Sequence, residues 1–149
     1  MILDLRKIAR SGKEKEDFFF LYEPEEELSS IPEVKVVLPV KIEGETTLTG
    51  EHSCVVDGEV CFSLKGECTR CLNETEREYV ICFSEECSEE GYGYPIVNDK
   101  VDIRKIIDDL IVTNLPLSFL CKDDCKGLCP KCGKNLNEGE CDCASVNEK

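Results

Sequence analysis

The chain has 149 residues, 41% of them hydrophobic, and its 32 acidic and 18 basic residues give a formal net charge of −14. That length supports one ordinary domain with a small appendage. The negative charge disfavours a broad contact surface for nucleic-acid phosphates, and no stretch is long and apolar enough to span a membrane.

The first third of the chain predicts one long strand. Five of the ten residues at positions 6–15 are basic and one is acidic, and the apolar segment DFFFLY follows at positions 17–22. Positions 34–50, VKVVLPVKIEGETTLTG, are rich in β-branched residues, which favour strands. We expect an interruption at Pro39, because proline cannot donate a backbone hydrogen bond to a neighbouring strand.

The segment CVVDGEVCFSL at positions 54–64 predicts a β-hairpin. Asp57-Gly58 suits a two-residue type I′ turn, in which both central residues adopt positive φ. Counting outward from this turn places Cys54 directly opposite Cys61. The second strand then continues to Cys68.

After the two strands of this hairpin and the connection CTRC at positions 68–71, a further strand is predicted. The segment EREYVICFS at positions 76–84 alternates and is rich in β-formers. Residues 34–84 should therefore form an antiparallel β-meander, with the thiols of Cys68 and Cys71 in one of its turns.

One main helix is predicted after the loop GYGYP at positions 91–95. Isoleucine and leucine recur at helical spacing over residues 103–114. Asp102 is the expected N-cap, and Pro116 should end the helix. We expect the last six residues, 144–149, to be frayed.

Together these elements predict an α+β fold. It should contain an antiparallel β-meander, one main helix and a C-terminal cysteine-rich zinc module. Residues 1–120 should form the α+β domain, with its CxxC motif in a hairpin turn. Residues 121–149 should form a zinc-binding module packed on that domain.

Four C-terminal cysteines have the spacing of a structural zinc site. Cys129 and Cys132 are separated by two residues, so both sulfurs can face one ion, and Gly133 permits the positive φ that such a turn needs. Cys141 and Cys143 supply the second pair. These four thiols within fifteen residues predict one complete site.

Two further pairs predict a second zinc ion per chain. Cys68 and Cys71 form one pair, Cys121 and Cys125 the other, and each pair is only half of a four-ligand site. Because the predicted helix lies between them, the chain can return to the hairpin turn and bring the pairs together. The alternative is one local site that uses Cys125 and leaves Cys68 and Cys71 without metal.

The remaining four thiols have a structural interpretation. Cys54, Cys61 and Cys82 lie among apolar residues of predicted strands, where cysteine behaves as a small hydrophobe. A cross-strand disulfide between Cys54 and Cys61 is the alternative. Cys87 lies in the acidic segment SEECSEE and is expected to be an exposed loop thiol.

The sequence gives catalysis little support. Its single histidine, His52, has no partner that spacing identifies, and an all-thiolate zinc site is closed and structural. Redox exchange by Cys68 and Cys71 is disfavoured, because Glu67 and Glu74 should raise the pKa of a nearby thiol. We therefore expect a noncatalytic protein, with a thiol-based redox or zinc-handling enzyme as the alternative.

Four segments carry a resemblance to a known family: MILDLRKI at the start, GECTRCL at 66–72, the helix leading into LPL at 115–117, and CKDDCKGLCPKCGKNLNEGECDC at 121–143. In these segments the chain resembles the YceD family, bacterial proteins linked to accumulation of large-subunit ribosomal RNA, with relatives in plant plastids. The resemblance implies a factor in large-subunit assembly. It also implies that Cys68, Cys71, Cys121 and Cys125 form a site separate from that of the four C-terminal cysteines.

The expected partner is a basic ribosomal protein or a large-subunit precursor particle, since an acidic chain attracts basic surfaces. Direct RNA contact is the alternative that charge does not favour. It would use a small set of basic residues: Arg6, Lys7, Arg10, Lys122, Lys126, Lys131 and Lys134. Twelve cysteines without an export signal further predict a reducing, cytoplasmic location.

Overall fold

The computed structural model describes residues 1–25 and 27–143. The expectation that residues 144–149 fray lies outside the described residues. Within the described part, seven strands and two helices follow one another: β1 (Ile2–Asp4), α1 (Leu5–Arg10), β2 (Lys15–Tyr22), β3 (Val34–Gly50), β4 (Ser53–Glu67), β5 (Glu74–Ser88), β6 (Tyr94–Pro95), β7 (Lys100–Asp102) and α2 (Ile103–Asn114).

A five-stranded sheet in the order β2-β3-β4-β5-β6 forms the body of the fold. Strands β2 to β5 pair antiparallel, and the short β6 adds parallel to β5. β1 and β7 pair antiparallel in a separate two-stranded sheet. Residues 34–84 do form an antiparallel meander, as predicted, but Ser53–Glu67 is one strand where the sequence predicted two. The loop prediction for residues 91–95 is wrong for Tyr94 and Pro95, which form strand β6.

The hairpin turn predicted at Asp57-Gly58 is wrong. β4 runs straight through this dipeptide, and Gly58 pairs with Gly44 of β3 and Phe83 of β5. A Cβ atom at Gly58 would lie 2.5 Å from the carbonyl oxygen of Glu43, so glycine is required by close strand approach rather than by a turn. The chain reverses instead at residues 51–52 and 68–73.

The irregularity expected at Pro39 is present inside β3. The Leu38–Pro39 peptide bond is cis, and the register with β4 shifts between Val37 and Lys41. β3 continues on both sides of this point, so one strand contributes to the sheet over its whole length.

Helix α2 confirms the predicted helix over residues 103–114. The Asp102 side chain caps it by accepting a hydrogen bond from the Arg104 backbone N–H at 3.1 Å. The short helix α1 was not predicted, although Asp4 caps it in the same way by accepting from the N–H groups of Arg6 and Lys7.

The hydrophobic core lies between the two helices and one face of the sheet. Alternation along the strands turns every second side chain of β3 and β4 inward, where they meet the apolar side of α2. The fully buried members include Val40, Ile42, Val56, Val60, Leu64, Ile103, Ile106, Ile107, Ile111 and Phe119. Neither described helix has the length and apolar character needed to cross a bilayer.

Candidate metal centres

The first thiol cluster joins the β4–β5 turn to the segment that follows α2. Cys68 and Cys71 lie in the turn, Cys121 and Cys125 lie beyond the helix, and their four sulfurs are all within 4.8 Å of one another. Cys68 is fully buried, and Cys71 and Cys125 are each 3% exposed. The structure therefore brings together the two half-sites that were predicted to combine, and it groups Cys125 with Cys68 rather than with the terminal cysteines.

Phe119 holds the post-helix segment against the turn. Its side chain is fully buried in the core, and its carbonyl oxygen accepts from the Thr69 backbone N–H at 2.8 Å and from the Thr69 hydroxyl at 3.1 Å. The Arg70 guanidinium donates to the carbonyl oxygen of Cys125 at 3.0 Å. Hydrophobic burial and backbone pairing thus place Cys121 and Cys125 beside the CxxC turn before any metal is considered.

The sulfur spacing of this cluster fits zinc. The Cys68 and Cys125 sulfurs are 3.7 Å apart, and those of Cys71 and Cys121 are 3.6 Å apart. A tetrahedral zinc ion with Zn–S bonds of about 2.3 Å separates its sulfurs by about 3.8 Å. The four residues could therefore hold one ion, and all four ligands in the set are sulfur.

Backbone donors prepare Cys68 to be a thiolate. Burial raises the pKa of this thiol, but backbone N–H groups of Cys121, Cys71 and Arg70 together outweigh burial and lower the pKa to about 6. The expectation that neighbouring acids raise it is wrong for Cys68, because these short-range donors dominate. Burial, and the nearby sulfurs of Cys125, Cys71 and Cys68, raise the pKa of Cys121 to about 12.

The second cluster is local to the C-terminal segment. The sulfurs of Cys129, Cys132, Cys141 and Cys143 all lie within 4.8 Å of one another. The Cys129 N–H donates to the carbonyl oxygen of Lys134 at 2.8 Å, and the Gly133 N–H donates to that of Cys129 at 2.9 Å. Gly133 has φ of +75°, the positive value expected from the sequence.

Backbone donors in the second cluster lower the pKa of Cys129, as those in the first cluster lower the pKa of Cys68. Backbone N–H groups of Cys132 and Lys131 lower the pKa of the Cys129 thiol to about 6. The neighbouring Cys132 sulfur raises the pKa of Cys143 to about 12. Each cluster therefore contains a thiol that ionises readily, Cys68 or Cys129, and one, Cys121 or Cys143, whose deprotonation is favoured by a nearby positive charge such as a metal ion.

The two clusters are joined by hydrogen bonds, which sequence reasoning missed. The Asn137 side chain, in the loop between Cys132 and Cys141, donates from Nδ2 to the Cys125 sulfur at 3.4 Å. Its Oδ1 accepts from the Lys126 backbone N–H at 2.9 Å. Ligand spacing alone carries no indication of this contact, because Asn137 is not itself a candidate ligand.

The remaining cysteines differ from their predicted roles. Cys54 lies opposite Cys87 of β5 and not opposite Cys61, so the predicted Cys54–Cys61 pairing is wrong. Cys87 is 1% exposed and belongs to a strand, so it is not an exposed loop thiol. Cys82 is exposed and Cys61 is half-buried, so only Cys54 of the three fills the core as expected.

His52 has carboxylate neighbours that sequence spacing did not reveal. Its Nδ1 lies 3.3 Å from a carboxylate oxygen of Glu89, and Asp99 completes a group of three metal-binding residue types. Asp99 also accepts from the Arg6 guanidinium at 2.6 Å. His52 and Glu89 are exposed, Asp99 is half-buried, and the Asp99 carboxylate is already paired with Arg6.

Most of the predicted basic contact residues have acidic or carbonyl neighbours. Arg6 pairs with Asp99, and Lys7 lies 3.5 Å from Glu16. Lys122 is 3.9 Å from Asp124, and Lys134 donates to the carbonyl oxygen of Glu140 at 2.8 Å. Arg10, Lys126 and Lys131 belong to the same set and are exposed at the surface.

Comparison with known proteins addresses the cysteine-bearing part of the chain. A family model described as "Large ribosomal RNA subunit accumulation protein YceD" matches residues 56–149, which is more than half of the chain. The chain belongs to the YceD family. The matched region contains all eight cysteines of the two clusters.

Curated relatives of this YceD-family chain come from mycobacteria and from plants. An uncharacterised protein of Mycobacterium tuberculosis is 33% identical over 92 residues, covering 55% of this chain and 44% of the relative. The chloroplastic "Large ribosomal RNA subunit accumulation protein YCED homolog 1" of Arabidopsis thaliana is 40% identical over 55 residues, covering 37% of this chain and 17% of the relative. The matches thus span less than half the length of these relatives, and no solved structure matches.

Proposed function

We propose that this chain is a noncatalytic, zinc-stabilised factor in large ribosomal subunit assembly, required for accumulation of large-subunit ribosomal RNA. The observation that carries the proposal is the convergence of eight cysteines into two sets of four sulfurs. Both sets lie within the region matched by the YceD family model. The family description supplies the ribosomal context, and the thiol sets supply the structural role.

The proposed cofactor is zinc, at two ions per chain. Sulfur-only donor sets favour zinc over the hard cations magnesium and calcium. A set of four protein ligands leaves no open position for substrate, which supports a structural rather than a hydrolytic role. When bound, each ion would neutralise part of the thiolate charge, leaving a net charge of about −2 per site.

The proposed partner is a basic ribosomal protein, or a precursor particle in which such proteins already screen the RNA, in the cytoplasm. The net charge of −14 supports this choice, because long-range repulsion weakens contact with bare phosphate. The acidic neighbours of Arg6 and Lys7 further reduce the positive field available to RNA.

A thiol-based redox or zinc-handling enzyme is the second candidate, and one observation favours it. The lowered pKa of Cys68, about 6, would suit a reactive thiolate as well as a metal ligand. Zinc exchange separates the two roles. A structural site should retain zinc in the presence of a mild chelator and a disulfide reagent, whereas a transfer or redox site should release zinc or oxidise.

The proposed function is tested by depletion and recovery in the native host. Loss of the chain should lower the ratio of large-subunit to small-subunit ribosomal RNA, and affinity-tagged chain should recover large-subunit precursors. If the partner is a protein, recovery of that protein should persist after RNase treatment. Cys68→Ser should fail to restore the ratio, and the exposed Cys82→Ser should restore it. An unchanged ratio after depletion would contradict the proposal.

A further inference from the structure

One face of the five-stranded sheet is left uncovered by the helices. Side chains on this outer face alternate with the buried ones along β2 to β5. Four of them are basic, Lys15, Lys35, Lys41 and Lys65, and ten are acidic: Asp17, Glu43, Glu45, Asp57, Glu59, Glu67, Glu74, Glu76, Glu78 and Glu86. With four basic and ten acidic side chains, the outer face has a formal net charge of −6, out of −14 for the whole chain.

Carboxylates stand directly opposite one another on adjacent strands of this face. Asp17 faces Glu45, which faces Asp57, and in the next row Glu43 faces Glu59. Like charges in opposed positions destabilise a sheet. Among these five carboxylates, Glu45 has a basic partner, Lys15, at 2.6 Å. The pattern lowers the stability of the isolated fold, and an external cationic group would relieve it.

The same face exposes apolar side chains beside the carboxylates. Phe19, Leu21 and Val80 are 58%, 57% and 59% exposed. Leu21, Lys41, Cys61 and Val80 form one continuous row across four strands. Phe19 and the five opposed carboxylates line a shallow depression of about 640 Å³. Apolar contact and negative charge are thus offered in one place, as at many protein interfaces.

We infer that this outer face docks a lysine- and arginine-rich polypeptide segment that also carries aliphatic or aromatic side chains. The inference rests on the proposed function and deepens it by assigning the surface that receives the basic partner. Charge complementarity selects this occupant. A nucleic acid would be repelled by the carboxylates, and a second copy would place two faces of the same sign against each other.

The test compares two variants of equal net charge. Glu43→Gln/Asp57→Asn/Glu59→Gln removes three carboxylates from the outer face, and Glu25→Gln/Glu27→Gln/Glu90→Gln removes three exposed ones elsewhere. Each changes the formal net charge from −14 to about −11. The outer-face substitutions remove repulsion between strands, so this variant should melt at or above the wild-type temperature and remain suitable for binding measurements.

The probe is a fluorescein-labelled synthetic peptide that alternates lysine and arginine with leucine and valine, measured by fluorescence anisotropy with the zinc-loaded full chain. The outer-face variant should bind about tenfold more weakly, the control variant no more than about threefold more weakly, and both differences should shrink at high salt. The Phe19→Ser/Val80→Ser variant should bind this peptide more weakly. Its binding of a peptide with serine in place of leucine and valine should be unchanged.

Four results would overturn the inference. Equal losses in the two charge variants would mean that only overall charge attracts the peptide. Preferential binding of a labelled RNA hairpin to the outer face, or concentration-dependent dimerisation lost in the outer-face variant, would assign the face to another occupant. Failure of the wild-type chain to bind the peptide would also overturn the inference.

A further measurement separates failure of the inference from failure of the proposed function. Wild-type and outer-face variant chains are compared for co-sedimentation with large-subunit precursors from the native host. If both co-sediment equally, the docking surface is wrong while the assembly role stands. If the wild-type chain binds the peptide through the outer face but does not co-sediment, the surface stands and the proposed function is wrong.

Discussion

At the scale of single residues, the two thiol clusters depend on groups that are not ligands. Hydrogen bonds to a thiolate stabilise its charge and fix its orientation toward a metal. Asn137 does this for Cys125 while its own Oδ1 is held by the Lys126 N–H. The side chain therefore links the loop of the second cluster to a ligand of the first.

Asn137→Ala should weaken metal binding at the first cluster by about tenfold, because loss of an outer hydrogen bond to a ligand typically has that effect. Chelator competition on the cobalt-substituted chain, followed through the thiolate-to-cobalt absorption band, measures the change. Asn114→Ala, which removes a side-chain hydrogen bond at the end of α2, is the matched control. Equal affinity in the two variants would show that Asn137 does not position Cys125.

The buried Tyr22 should contribute to the loss of stability at alkaline pH. Its hydroxyl donates to both carboxylate oxygens of Asp108, at 2.8 and 3.0 Å. Burial, and then the Asp108 interaction, raise the pKa of Tyr22 to about 12. Because the folded pKa lies above the unfolded value of about 10, this stabilisation is complete below pH 10 and is lost as the pH rises toward 12.

Tyr22→Phe should therefore reduce the fall in unfolding free energy between pH 10 and about pH 12. It should also lower stability at neutral pH by about 1 kcal/mol, through loss of the hydrogen bonds to Asp108. Urea unfolding of both proteins across this pH range checks the prediction. A variant that loses stability as steeply as the wild-type chain would show that Tyr22 does not contribute to this loss.

At the scale of secondary-structure elements, prediction succeeded where local pattern determines structure. The apolar spacing of α2 and its Asp102 cap are local, and so is the short spacing that places the two sulfurs of each cysteine pair side by side. The Asp57-Gly58 hairpin failed because its glycine serves a non-local contact with β3. The Cys54–Cys87 pairing depends on strand register, which no short segment specifies.

Gly44 and Gly58 should be equally intolerant of a side chain, because they face each other on adjacent strands. A Cβ atom at Gly44 would lie 2.1 Å from the carbonyl oxygen of Asp57. Gly44→Ala and Gly58→Ala should each lower the unfolding free energy by about 1–3 kcal/mol, as measured by urea unfolding.

Gly50→Ala is the matched control, since its added Cβ would meet the movable hydroxyl of Ser53 rather than backbone. It should be the least destabilising of the three substitutions. A Gly44→Ala variant as stable as the wild-type chain would contradict the continuous β4 strand and restore the hairpin interpretation.

At the scale of the whole molecule, the two clusters constrain the chain differently. The first joins residues about fifty positions apart and is mostly buried, whereas the second is local and includes the exposed Cys132. Closing a fifty-residue loop reduces the entropy of the unfolded chain and is worth about 4 kcal/mol by the loop-entropy estimate for cross-links. A metal at the first cluster should therefore stabilise the sheet and helix together, and one at the second should stabilise mainly its own turn.

Elemental analysis of the purified chain should therefore give two zinc ions, and Cys68→Ser or Cys132→Ser should each remove about one. Their melting temperatures should differ. Cys68→Ser should lower the melting of the whole domain, because it releases the long loop, while Cys132→Ser should leave the amide-exchange protection of β3 to β5 close to wild type. Cys82→Ser, which changes an exposed thiol outside both clusters, should change neither zinc content nor melting temperature.

One zinc per wild-type chain would contradict the two-site assignment. A Cys68→Ser variant that loses amide-exchange protection only beyond residue 125 would show that the first cluster does not fasten the fold.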